Sequence, residues 1–339
     1  MTFDIEIRYA TPDDADGIAA LYDRVYHGSY PITECTDPTL VRRIVANREQ
    51  VWVLALDGDT VVGASVARPE PVNQSYELCR AAVRPDYRGR ANYRAVFDLS
   101  LRAAVERQDC EIIYGYARSE RALRIFSRAS PPWSWTGTDG GTHPVAGERE
   151  EHVFGMVFNP QRVVTRIVPP RSILVEDSAV AQEITVLNSV IRTGDYPSRI
   201  AAGGAAEFTY ESDCGRVSFS VLEPSRAAVV GAVEGDAPDD IHRVLWEVID
   251  GATPSKIEHM TVYVLADKLP IIAALCRADT GDSRGRFAVR GYMPGWHKDG
   301  DVRYDCVTLA ACRGEQIPKR LGFEDRIEAI YRSFPSKFR

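Results

Sequence analysis

Between Ala81 and Arg94 the chain reads Ala-Ala-Val-Arg-Pro-Asp-Tyr-Arg-Gly-Arg-Ala-Asn-Tyr-Arg, a strand end, a tight basic loop and the start of a helix. A helix N-terminus presents unpaired backbone N–H groups and roughly half a positive charge, so a loop that holds an anion there gains hydrogen bonds and field together. Arg88, Arg90 and Arg94 add counter-charge around the same point, which suits a diphosphate. A strand-turn-helix with merely solvated arginines fits the same letters. Six residues before Val83 stands Glu77, and the even spacing predicts that both side chains lie on one face of a strand. A carboxylate there is either a proton acceptor or an exposed charge on an edge strand.

Alternating strands and helices must position these groups. Ile5 to Tyr9 predicts a strand, and Thr11-Pro12-Asp13-Asp14 caps a helix whose apolar face is Ala19, Leu21, Tyr22 and Val25. A second helix fits Pro38 to Asn47. Val51 to Leu56 and Thr60 to Ala67 flank Asp57-Gly58-Asp59, a hairpin signal. Ser75 to Val83 is the strand that feeds the arginine loop. In the following helix, about Asn92 to Arg107, Tyr93, Val96, Phe97, Leu101, Ala104 and Val105 share one face. A strand at Ile112 to Ala117, a helix at Glu120 to Arg128 and a closing strand at His152 to Phe158 complete the first half.

The loop resembles the acyl-CoA site of the GNAT N-acetyltransferase superfamily, where Val-x-Pro-x-x-Arg-Gly-x-Gly-x-Gly/Ala precedes a long helix. Val83, Pro85, Arg88 and Gly89 match in register, while Ala91 stands at the usual second glycine and Tyr93 at the third. The resemblance implies an α/β (α+β) GNAT fold in the first half and acetyl-CoA as acyl donor. It assigns cofactor binding to Ala82, Val83, Arg88, Gly89, Arg90, Ala91, Asn92 and Tyr93. Acyl transfer from a thioester to an amine needs a proton acceptor, because amines are protonated at neutral pH, and donors for the oxyanion. By resemblance Glu77 is that base, directly or through a water, and the backbone N–H near Val83 polarises the thioester carbonyl.

The tyrosine that family members use to protonate the departing thiolate is replaced by Phe126. Tyr114 or Tyr116 on the preceding strand can substitute, and Tyr116 is the catalytic candidate. The connection His27-Gly-Ser-Tyr-Pro falls where the fold meets its acceptor, which makes His27 and Tyr30 substrate candidates beside the plainer reading of a turn set by Gly28 and Pro31. This run, the Glu77-Leu-Cys-Arg-Ala-Ala-Val strand and Gly115-Tyr-Ala-Arg-Ser are loosely similar to the branch that acetylates β-lysine. An amino-acid acceptor wants an arginine for its carboxylate, either Arg118 or Arg80.

A chain of 339 residues exceeds one ordinary core, so two domains are expected: 1–160, a linker over 161–170 marked by prolines, and 171–339. The second half repeats part of the order, with strands at Gly215 to Leu222, Ala227 to Val233 and Ile257 to Leu265, helices at Pro238 to Ile249 and from Pro270 to Arg277, and strands near Phe287 to Tyr292 and Tyr304 to Ala311. This predicts a second, diverged GNAT-like domain. Its counterpart of the arginine loop carries Asp236, Asp239 and Asp240, which cap a helix and repel a diphosphate. The second domain is thus a scaffold, a homodimer surface or a wall of the acceptor pocket. Tyr292 to Asp301 is either an acceptor-closing loop or a hairpin turned at Lys298-Asp-Gly.

A net charge of −7 argues against nucleic acid or an anionic membrane as main partner. Seven scattered cysteines with no C-x-x-C pair read as reduced thiols with no metal site, and the first residues lack a signal-peptide pattern, so a cytoplasmic enzyme is expected. The leading reading is an N-acetyltransferase acting on a small primary amine. A Fem-type ligase drawing on aminoacyl-tRNA and a non-catalytic acyl-CoA sensor stand as alternatives.

Overall fold

A computed structural model describes the chain apart from residues 1–3, 90–92, 132, 143, 146–147, 170–188, 205, 224, 252–255, 278–286, 314–318 and 321–339. The chain divides into two compact units. The first comprises Met1–Gly115, Ile125–Pro132 and Val157–Arg162, the second Tyr116–Arg124, Trp133–Met156 and Val163–Arg339.

Elements of the first unit run β1 (Ile5–Tyr9), α1 (Ala15–Tyr26), α2 (Thr33–Thr36), α3 (Pro38–Ala46), β2 (Val51–Asp57), β3 (Thr60–Glu70), β4 (Ser75–Val83), α4 (Tyr93–Val105) and β5 (Ile112–Ala117), whose end crosses into the second unit, as does the body of α5 (Glu120–Ser127). The sheet order is β1-β2-β3-β4-β5. The first three pairings are antiparallel and β4–β5 is parallel. Gly58, at φ +57°, turns the β2–β3 hairpin in a conformation glycine adopts without steric cost. Asp37 caps α3 by accepting from the Thr39 and Leu40 N–H groups, with Pro38 at the first helical position.

Alternation along the strands separates two buried layers. Trp52, Leu54, Leu56, Ala64, Val66 and Ala82 pack with Ile18, Leu21, Tyr22 and Val41 of α1 and α3. Val53, Ala55 and Val62 pack with Val96 of α4 on the other face. Each fully buried large aliphatic contributes about 1.5–3 kcal/mol, which clamps the strands that carry the site.

The second unit adds β6 (Ser134–Thr138), β7 (Pro144–Val145), β8 (Glu148–Glu151), β9 (Val153–Phe158, ending in the first unit), β10 (Val164–Val168), β11 (Ser189–Thr193), β12 (Phe208–Ser212), β13 (Gly215–Leu222), β14 (Ala227–Glu234), α6 (Pro238–Asp250), β15 (His259–Leu265), α7 (Leu269–Cys276), β16 (Ala288–Asp299), β17 (Val302–Cys312) and β18 (Lys319–Arg320). Its sheet order is β9-β6-β16-β17-β15-β14-β13-β12, with β10 pairing β17 and β11 pairing β10. Antiparallel β12–β13–β14, a helix, parallel β15 and a second helix repeat the order of β2–β3–β4, α4, β5 and α5.

Part of the expected linker is structured. Val164–Val168 forms β10, in parallel register with β17 at Thr165↔Val302 to Ile167↔Tyr304. The β-branched Val164, Thr165, Ile167 and Val168 outweigh the flanking prolines. At Tyr292 to Asp301 the hairpin reading is the one observed: β16 and β17 pair up to Asp299↔Val302, with Gly300 at φ +57°. Among the described residues no helix is long and apolar enough to cross a membrane.

Candidate functional site

The centre of the first unit is a fork. β4 and β5 pair at Ser75↔Ile112, Tyr76↔Ile113 and Glu77↔Tyr114, and the ladder stops there although β4 continues to Val83 and β5 to Ala117. Beyond Glu77, β4 offers a backbone edge that no strand pairs among the described residues. On its other side β4 is bulged against β3: Ala64 pairs Ala82 and Val66 pairs Cys79, with Arg80 at φ 55° in the extra step.

The bulge corrects the sequence reading. An extra residue reverses the alternation, so Glu77 and Cys79 lie on the α1 face with their partners Arg68 and Val66, and Val83 lies on the α4 face. Even spacing therefore does not place Glu77 and Val83 together. Arg84 N–H donates to Val62 O at 2.9 Å, and antiparallel alternation then turns the Val83 N–H away from β3, toward the open edge.

Glu77 is 14% exposed and faces Arg68 across the β3–β4 ladder. Oε2 accepts from Arg68 Nε at 3.2 Å and Nη2 at 2.5 Å, while Oε1 accepts nothing among the described residues. Arg68 Nη1 also reaches Glu70 Oε1 at 2.8 Å. Burial is the largest influence on Arg68 and lowers its pKa, but Glu77 together with Tyr114, Cys79 and Glu70 outweighs it, and the group stays cationic, held above its ordinary value. Burial raises the Glu70 carboxyl against the pull of Arg68. Burial and then the Glu77 charge push the Cys79 thiol up, so this sulfur stays protonated beside the carboxylate. Tyr114, 7% exposed, flanks Glu77 on β5.

Side chains from α1, from α2 and from the residue before β2 fasten the bulge. The hydroxyl of buried Tyr22 donates to Arg80 O, and the Arg80 guanidinium binds Glu34 and, at 2.8 Å, Gln50 Oε1. Arg80 is thereby committed to structure and does not stand as a carboxylate clamp. Tyr30 stacks on Tyr26 at 4.4 Å between ring centroids and lies 4.9 Å from Tyr22, and burial pushes its hydroxyl pKa up. His27 is exposed at the left-handed C-cap of α1, φ 52°.

In the arginine loop, Pro85–Tyr87 forms a 3-10 turn. Arg84 binds Asp86 and lies 5.1 Å over the Tyr87 ring, whose hydroxyl donates to Asp57 at 2.6 Å. Arg88 is exposed and makes no ion pair among the described residues, and Gly89 takes φ +86°. Arg90, Ala91 and Asn92 lie outside the described residues. Tyr93 opens α4, half-buried and hydrogen-bonded with Ser65, and burial raises its pKa. Arg94 is not part of the cradle: it binds Asp98 at 2.7 Å and the carbonyls of Ile125 and Arg128.

Glu77, Ala82, Val83, Arg88, Gly89, Tyr93, His27 and Tyr30 thus belong to the first unit, whereas Tyr116 and Arg118 belong to the second. There Tyr116 meets Phe154 edge-on at 5.1 Å, and Arg118 donates to Glu150 Oε2 at 2.9 Å. Sequence reasoning missed Arg68, Glu34 and Tyr22. The turn at Pro71–Asn73 holds the signal for Arg68, since a hairpin closed by Glu70↔Ser75 sets Arg68 opposite Glu77.

Residues 16–129 match the model of the Acetyltransferase (GNAT) family. Similar solved structures include a ribosomal-protein-S5-alanine acetyltransferase from Vibrio fischeri (13% identity, 46% of this chain, 94% of that chain, TM-score 0.39). A ribosomal-protein-alanine N-acetyltransferase from Brucella melitensis is another (20%, 45% and 99%, 0.38), as is Arabidopsis thaliana NAA60 in complex with a bisubstrate analogue (15%, 45% and 97%, 0.38). No curated protein matches the chain significantly.

Proposed function

We propose that this chain, whose residues 16–129 form a GNAT acetyltransferase domain, moves the acetyl group of acetyl-CoA to the primary amine of a small molecule, an amino acid or a natural-product intermediate. The fork that opens at Glu77↔Tyr114 carries the reading. An arm containing amide bonds pairs with an open strand edge as a peptide does. From Val83 back to Glu77 that edge spans roughly 20 Å, at about 3.3 Å per residue. Arg88 and the loop closed by Gly89 stand at its far end, where a diphosphate is bound by charge and backbone N–H groups.

Glu77 then receives the proton of the attacking amine on Oε1, while Arg68 on Oε2 orients the carboxylate. The Val83 N–H, turned toward the open edge of β4, hydrogen-bonds the oxyanion. The Cys79 thiol, held neutral by burial, is no acyl carrier, which favours direct transfer over a two-step relay. Tyr116 remains the proposed proton donor to the departing thiolate, and His27, Tyr30 and Arg118 the acceptor contacts. The second unit, with its repeated strand and helix order, is read as a diverged GNAT-like domain.

The test is calorimetric titration with acetyl-CoA of the wild type and of a variant carrying Arg88→Ala with Arg90→Ala, followed by thiol-release assays over a panel of primary amines. Binding weakened at least tenfold in the variant, with turnover of an amine by the wild type, is expected. No binding by the wild type refutes the proposal, and tight binding without turnover of any amine replaces it with an acyl-CoA sensor.

A further inference from the structure

The second unit repeats the fork with a different content. β14 and β15 pair in parallel at Ala227↔His259, Ala228↔Met260 and Val229↔Thr261, then the ladder stops although β14 reaches Glu234 and β15 reaches Leu265. β14 is also bulged: Ser218 pairs Ala232 and Phe219 pairs Val230, leaving Gly231 as the extra residue. Into this opening comes the chain's own segment Arg199-Ile-Ala-Ala-Gly-Gly. Ala201 bridges Val264 in antiparallel register. Ala202 N–H donates to Tyr263 O at 2.7 Å, and Leu265 N–H donates to Ile200 O at 2.9 Å.

The other side of the opening is engaged as well. Arg199 Nη2 donates to the Gly231 carbonyl at 3.3 Å, and its Nε donates to Ala201 O at 2.8 Å. A Cβ on Gly231 would lie 3.1 Å from Gly204 O, so the missing side chain lets the strap cross β14 before Glu207 N–H reaches Phe219 O on β13. Ala201 and Ala202 are buried. Lys268 Nζ on Pro197 O and the Tyr196 hydroxyl, which donates to Ile167 O and accepts from Asp305 N–H, anchor the approach.

We propose that residues 199–204 are an internal stand-in for the amide-bearing arm, sealing the second fork, so that the chain takes one acyl-CoA, in its first unit. This rests on the reading of the first fork as the thioester cleft. A tethered strand competes at an effective concentration on the order of millimolar, without having to be supplied from solution. Around the start of α6, where the first unit has its arginines, stand carboxylates instead: Asp236, Asp239 paired with Arg277 at 2.7 Å, and Asp240 with Arg243 at 3.5 Å.

Hydrogen exchange on the full chain tests the seal without reference to catalysis. Peptides covering Ala202 and Leu265 are expected to exchange at least a hundredfold more slowly than free chain, equally with and without saturating coenzyme A. Free-chain exchange in both overturns the proposal, as does unchanged exchange at Ala202 in Gly231→Val, where the new side chain meets Gly204. Titration with coenzyme A is expected to give one site per chain, weakened at least tenfold by Arg88→Ala with Arg90→Ala. Two sites, or one whose affinity that double substitution leaves unchanged, overturns the proposal. No binding at all by the wild type, with the slow exchange intact, refutes the cleft assignment of the first unit and with it the single-site count, while the seal itself stands.

Discussion

Glu77→Gln keeps the shape of the side chain and removes its basicity. A positioned general base contributes roughly 10²–10⁴ in rate, or about 2.7–5.5 kcal/mol in the barrier, and the loss is expected to appear in kcat. The affinity for acetyl-CoA should change less than about twofold, because the bulge places Glu77 on the sheet face opposite Val83 and the arginine loop lies at the far end of β4. The cost to stability is small. Arg68 is partly exposed and retains Glu70 at 2.8 Å, so the lost pair is worth about 1 kcal/mol, or about 2–4 °C in the melting temperature. The assay is thiol release from acetyl-CoA in the presence of the best amine from the screen, with calorimetry and a thermal melt on the same preparations. Wild-type kcat in a folded Glu77→Gln that binds acetyl-CoA refutes the base assignment. A kcat loss accompanied by an equal loss of acetyl-CoA binding refutes the separation of the two functions along β4.

Tyr22→Phe removes the donor to the Arg80 carbonyl from a fully buried site, and a loss of about 1–3 kcal/mol in denaturant unfolding is expected; an unchanged midpoint would mean the bulge does not depend on this bond. His152 and His297 are held neutral, mainly by burial, with pKa values lowered from 6.5 to about 4. Between those values the unfolded chain takes up protons that the folded chain does not, so stability is full above pH 6.5 and falls toward pH 4, by about 3 kcal/mol per histidine. Melting temperatures across that range should drop with acidification, and His152→Gln should flatten the profile; a flat wild-type profile would show that neither histidine is shielded as described. Gly89→Val forces a β-branched residue into φ +86° with nothing among the described residues within 4 Å to clash, so acetyl-CoA affinity should fall at least fivefold with little change in the rest of the fold; unchanged affinity would detach that turn from the cradle.

The strand Ser75–Val83, the strand Ile112–Ala117, the hairpin at Gly58, the helix that follows the arginine loop and the position of Glu77 near the strand's start were all legible in the sequence, because local periodicity, turn residues and caps encode elements within a few residues of themselves. The charge imbalance between the two loops, arginines in one and aspartates in the other, was legible for the same reason. Three matters were decided only by tertiary structure. The bulge at Arg80 reversed the face of every residue beyond it, and a bulge arises from the fit between two strands and the Tyr22 hydroxyl that holds it, none of which lies in the local pattern. The arginines were allotted by partners distant in sequence: Arg94 to the end of α5, Arg80 to Glu34 and Gln50, Arg68 to Glu77. Among the described residues the same fork is unpaired in the first unit and met by residues 199–204 in the second, since which strand edge finds a partner depends on where the rest of the chain comes to lie.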